Sequence, residues 1–136
     1  MNAIHRRRLL KLADFLEALP PKRFNYCHWV GDDWEGAANL SCGTTACALG
    51  WATTMPIFRR LGLCLYKPGR YYTPTVILKI GKRRGSTFDA TEEIFGLDHN
   101  ETMELFTPRG SGELGPKAKA SDVAAHIRRF VERRSP

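Results

Sequence analysis

The stretch LGLCLYKPGRYYTPTVILKIGKRRGS, residues 61–86, decides the fold class. Leu63–Tyr66 and Tyr71–Ile80 are short runs rich in Leu, Val, Ile and Tyr, residues that suit a pleated, half-buried surface. Between them, Lys67-Pro68-Gly69-Arg70 has turn chemistry, because proline presets φ and glycine tolerates the sharp reversal. Pro74 has no N–H to give a ladder, so it belongs at an edge or a strand start. Val76-Ile77-Leu78 is the best strand core, and Gly81–Ser86 reads as a basic, exposed loop. The pattern on both sides of this stretch is helical. The expectation is therefore a small α+β single domain, dominated by helices and carrying a short β-hairpin.

Working outward, Leu9, Leu12, Leu16 and Leu19 fall on one stripe of a helix that spans residue 4 to about 19. Pro20-Pro21 ends it, since neither proline can donate a helical hydrogen bond. Phe24, Tyr26, Trp29 and Trp34 form an aromatic loop whose rings either cap the core or anchor a partner. Ala46–Ala52 is small and apolar, which predicts a buried helix capped by Thr44 or Thr45. Pro56 restarts a helix and Gly62 stops it. Asp89…Glu92 and Asp98…Glu101 each look like the start of a short helix, the first closed by Gly96. Ser121 caps a last helix, with Val123, Ile127, Phe130 and Val131 inward. The expected organisation is a compact domain over 1–108, a Gly/Pro linker over 109–120 and a C-terminal helix over 121–136 that packs on the domain.

Charge is distributed unevenly. The chain has 136 residues and a formal charge of +7. Residues 36–88 carry Arg59, Arg60, Lys67, Arg70, Lys79, Lys82, Arg83 and Arg84 and no acidic residue at all. The rest of the chain is close to balanced, and many of its acids sit where helix N-termini favour them. Interleaved with Tyr66, Tyr71 and Tyr72, this basic segment can follow a phosphate backbone and stack bases. It can equally meet an acidic protein surface and speed association. Arg59, Arg60, Arg70, Lys82, Arg83, Arg84, Tyr71 and Tyr72 are the expected partner contacts.

The four cysteines allow three chemistries beside plain burial. Cys27, His28, Cys42 and Cys47 contain the donor types of a Cys₃His zinc set, although no C-x₂-C occurs and Cys42 and Cys47 lie at the outer limit of ligand spacing. Cys47, near a helix N-terminus, has the setting of an activated nucleophile, but nothing aligns His28, His99 or His126 as its base. A Cys42–Cys47 disulfide is disfavoured in a reducing compartment. Small hydrophobic core residues remain the simplest role for all four. The expectation is no cofactor and no metal, with enzymatic activity the less favoured class.

The run Cys42–Ala52, CGTTACALGWA, resembles a CGTxACxxGWA motif found in small, mostly uncharacterised bacteriophage and prophage proteins. A leucine-rich first helix ending in prolines, the Phe24–Trp29 segment, and the Phe95-Gly96-Leu97 and Leu105-Phe106 pair extend the resemblance over roughly residues 9 to 108. It implies a phage-borne accessory protein that binds a host macromolecule, such as an inhibitor of host defence of the anti-CRISPR kind. A nucleic-acid-binding module and a cysteine-dependent enzyme centred on Cys47 are the alternatives.

A composition of 43% hydrophobic and 26% charged residues is globular, which excludes wholesale disorder. No apolar run approaches the roughly 18 residues that span a bilayer, and no signal-type apolar stretch follows the basic start. The expected setting is the cytoplasm, that of the host if the protein is phage-encoded. The expected partner is a host protein or a protein–nucleic acid complex, or nucleic acid alone, with no membrane.

Overall fold

Leucines at positions 9, 12 and 16 share one helical stripe. In the computed structural model, α1 (Ala3–Ala18) buries all three together with Ala13. The structure describes residues 1–24, 47–66, 75–107 and 118–134. Asn2 caps α1, its side-chain oxygen accepting the His5 N–H at 2.8 Å. Leu19 turns the chain extended ahead of Pro20, and a single 3₁₀ turn, Pro21–Arg23, follows.

The next helix is short. All five residues of α2 (Ala48–Ala52) are buried, and Cys47, rather than Thr44 or Thr45, is its N-cap. α3 (Pro56–Arg59) begins on Pro56, whose missing N–H is harmless in a first helical turn. The chain then runs straight into β1 (Leu63–Tyr66), which pairs antiparallel with β2 (Thr75–Ile80).

A third strand, β3 (Arg83–Gly85), pairs with β2 on the far side, giving the order β1-β2-β3. This corrects the expectation of a loop over 81–86. The cause is Gly81, which has φ +60°, while Lys82 keeps a negative φ. Glycine first and a negative φ second is the type II′ pattern, whose twist matches that of the flanking strands. Two residues therefore suffice for the turn, and Arg83 pairs directly with Ile80.

α4 (Thr87–Phe95) starts from Ser86, not from Asp89. Ser86 Oγ accepts the Asp89 N–H at 3.1 Å and the Asp89 carboxylate accepts the Ser86 N–H at 2.7 Å. Asp89 is thus the N3 partner of a capping box. α5 (His99–Phe106) has the same device in Asp98 and Glu101. α6 (Ala120–Arg134) begins just before Ser121, and it is the Asp122 carboxylate that accepts the Lys119 N–H, at 3.0 Å.

One hydrophobic core joins these parts. Leu9, Leu12 and Leu16 of α1 meet Val123, Ile127, Phe130 and Val131 of α6, with Val76, Leu78, Ile94 and Phe95 in the same cluster. The Phe58 and Phe95 rings meet edge-on at 5.2 Å, a favoured aromatic geometry. Thr91 and Thr102, both buried, satisfy each other across α4 and α5 at 2.7 Å. At the rim, Arg128 binds Asp14 at 2.6 Å and also Glu17, while Arg133 and Arg134 bind Glu104 and Glu101 of α5. Among the described residues, no helix is long and apolar enough to cross a membrane. The expected linker lies, but for 118–120, outside the described residues, as does the aromatic loop beyond Phe24.

Candidate functional site

Strand alternation sorts the basic segment into two faces. The pairs Leu63↔Leu78, Leu65↔Val76, Leu78↔Gly85 and Ile80↔Arg83 point one way, and Cys64↔Ile77 and Lys79↔Arg84 point the other. α4 packs on the first face: Thr87 Oγ1 donates to the Val76 carbonyl at 2.5 Å, and Val76 and Leu78 share the core with Ala90 and Ile94. The second, outer face carries Cys64, Tyr66, Ile77, Lys79 and Arg84.

On that outer face Arg84 reaches diagonally across β2. Its Nη1 donates to Tyr66 Oη at 2.7 Å, and its guanidinium carbon lies 4.5 Å from the Tyr66 ring centroid. The cation–π contact uses the aromatic quadrupole and leaves the positive charge unneutralised. Lys79 and Arg84 are opposite one another and exposed, and Lys82 and Arg83 extend the charge around the turn. No carboxylate among the described residues pairs with Lys79, Lys82, Arg83 or Arg84. Arg59 and Arg60 end α3 just before β1, and the Lys79 N–H donates to the Gly62 carbonyl at 2.7 Å, which fixes the end of α3 beside the end of β2. Sheet register thus brings Arg59, Arg60, Lys82, Arg83 and Arg84 to the turn end and outer face of one small sheet. Arg70, Tyr71 and Tyr72 lie outside the described residues.

Two features of this surface escape sequence reasoning. Lys79 and Tyr66 join the outer face through the β1–β2 register, which pairs Tyr66 with Thr75 and Cys64 with Ile77. The second feature is a groove of about 500 Å³ along β3, lined by Leu78, Ile80, Arg83, Arg84 and Gly85 of the sheet and by Asp89, Glu92 and Glu93 of α4. Ile80, 56% exposed, lies open in it. Recognising β3 as a strand is what reveals the groove.

The cysteine chemistry meets a different environment from the one expected. Cys47 is 2% exposed. Burial pushes its thiol up to about 12, against the opposing pull of backbone N–H groups at the start of α2. A helix N-terminus does act on this sulfur in the expected direction, but desolvation outweighs it and the reactive thiolate is suppressed. Cys64 is half-buried on the outer face, its thiol also raised by burial and partly offset by Lys79 and Arg84. Cys27, His28 and Cys42 lie outside the described residues, among which no group of three or more potential ligands gathers around a metal position. His126 is buried and its Nε2 lies 3.3 Å from the Glu104 carbonyl, which gives it a structural partner within α5.

Comparison with family models, with curated proteins and with solved structures found no match to this chain.

Proposed function

We propose that this protein is a non-enzymatic accessory protein, of the phage-borne kind, that binds a host macromolecule through the basic outer face and turn of its sheet and thereby inhibits a host defence component. The observation that carries the reading is the set Lys79, Lys82, Arg83 and Arg84: four exposed cations on one hairpin with no carboxylate partner among the described residues. Exposed like charges held together add nothing to folding and repel one another. A surface of this kind suits an anionic partner, with charge setting the encounter rate and Tyr66 supplying a rigid ring in the contact. Burial of the Cys47 thiol favours this reading over a cysteine-dependent enzyme.

The test is charge reversal. Immobilised wild-type protein retains a host component that K82E/R83E/R84E, folded to the same melting temperature, fails to retain. Equal retention by the two proteins contradicts the proposal. A second reading, binding of nucleic acid, draws on the guanidinium stacked over Tyr66, a platform that bases also use. It requires binding to plain DNA or RNA whose affinity falls steeply with salt.

A further inference from the structure

The hydrogen-bond phase of the hairpin is fixed by its turn. In a two-residue hairpin the residues flanking the turn, Ile80 and Arg83, form a hydrogen-bonded pair, so the next pair, Lys79 and Arg84, points its backbone groups away from each other. The structure bears this phase out on the β2 side: the Lys79 N–H goes to the Gly62 carbonyl at 2.7 Å, on the side away from β3. On the other side, the N–H and C=O of Arg84 must point outward from β3, the edge strand among the described residues. β3 ends the strand order, and no described residue pairs with that edge.

The edge is also chemically sided. Facing outward, Arg84 and Lys79 are cationic. On the opposite side lies the groove, where Gly85 has no side chain and the wall beyond it is Asp89, Glu92 and Glu93. Asp89 is occupied with the Ser86 N–H, whereas Glu92 and Glu93 are exposed. A strand laid along β3 alternates its side chains between these two environments. A carboxylate opposite Arg84 gains a cation once the guanidinium swings from Tyr66 to the β3 edge, and a basic side chain opposite Gly85 gains the α4 carboxylates. An apolar residue opposite Arg83 packs on the aliphatic stem of Arg83, which separates it from Ile80.

We propose that the partner docks by adding an extended segment to β3 as a fourth, antiparallel strand, with an acidic residue opposite Arg84, a basic residue opposite Gly85 and an apolar residue opposite Arg83. This rests on the reading of the basic sheet as the binding surface and names the partner as protein. Backbone pairing supplies the attachment and the alternating charges supply the selectivity, as in other strand-addition complexes. Two competing occupants are disfavoured by the same charges. A second copy of this chain pairing edge to edge sets arginine against arginine, and a nucleic acid running along the groove meets Glu92 and Glu93 with its phosphates.

The experiment uses the full-length protein, labelled with ¹⁵N, titrated with the blocked heptapeptide Thr-Thr-Lys-Glu-Val-Thr-Thr. Two controls accompany it: the same peptide N-methylated at Glu, and the isomer with Lys and Glu exchanged. The parent peptide is expected to shift the Arg84 and Gly85 amides, and each control to bind at least about tenfold more weakly, since one loses a backbone hydrogen bond and the other reverses both charge contacts. Equal binding of all three peptides, or no shift at Arg84, overturns strand addition. So does a single-stranded oligothymidylate that titrates the same amides more tightly than the peptide. If strand addition fails while K82E/R83E/R84E still abolishes retention of the host component, only the docking mode falls. If the triple variant also retains that component, the basic-surface reading falls with it.

Discussion

At Cys47 two opposing effects act on one sulfur atom, and their balance decides what the residue can do. The N-terminal amides of α2 lower the thiol's pKa, but complete burial raises it further, to about 12. Iodoacetamide at pH 8 should therefore leave the Cys47 peptide unmodified in the folded protein and label it fully after denaturation, as read by peptide mass mapping. The same shift sets a pH dependence. The folded state holds a proton that the unfolded chain releases near 9.0, so stability falls as the pH climbs from 9.0 towards about 12. A Cys47→Ala variant should lose that part of the alkaline slope. Gly96 is a second informative position. It ends α4 at φ +68°, and a Cβ placed there would lie 2.3 Å from His5 Nδ1. Gly96→Ala is expected to cost about 1–2 kcal/mol from the left-handed backbone alone, and more from displacing His5, measured by urea denaturation. Gly96 was legible in the sequence as a helix stop, but its contact with a residue some ninety positions earlier was not, because only the packed fold brings α1 to that end of α4.

At the level of elements, local rules carried some boundaries and missed others. The proline ends of α1 and α3, the β1 bounds Leu63–Tyr66 and the Asp98 start of α5 follow from backbone chemistry that acts within a few residues. Two acidic residues in one short stretch hid the α4 start: Asp89…Glu92 mimics a capping box, while the cap that forms is Ser86…Asp89, one register earlier. β3 was missed for another reason. Arg83-Arg84-Gly85 has no β-type composition, and it becomes a strand because the Gly81 turn delivers it to β2. The Asp98 carboxylate lies below the usual aspartate range, chiefly because it accepts the Glu101 N–H. Its contribution is present above pH 3.8 and is lost as the pH falls through the lower folded value, so Asp98→Asn should flatten the acid limb of the stability curve. The α1–α6 contact offers a comparison of apolar and ionic terms. Phe130→Ala, in the core, should cost about 3–5 kcal/mol, whereas Arg128→Ala, at the partly exposed rim, should cost at most about 1 kcal/mol. Paired thermal and urea melts separate the two.

For the whole molecule, the distribution of charge is the link between fold and function. On the helices, Asp14, Glu17, Glu101 and Glu104 are engaged by Arg128, Arg133 and Arg134, and Asp89, Asp98 and Asp122 accept N–H groups at helix starts. The cations of the hairpin have no carboxylate partner among the described residues. That imbalance was readable in the sequence as an acid-free segment over 36–88, but its geometry was not. Which of those residues share a face depends on strand register, and the β2–β3 register depends on Gly81. The measurement that tests the central claim most directly is hydrogen–deuterium exchange of the full chain, free and bound to the host component that it retains. New protection is expected to concentrate at 79–85, with Arg84 most affected and little change along α1 and α6. Protection confined to α1 and α6, with 79–85 exchanging as in the free protein, would contradict that claim.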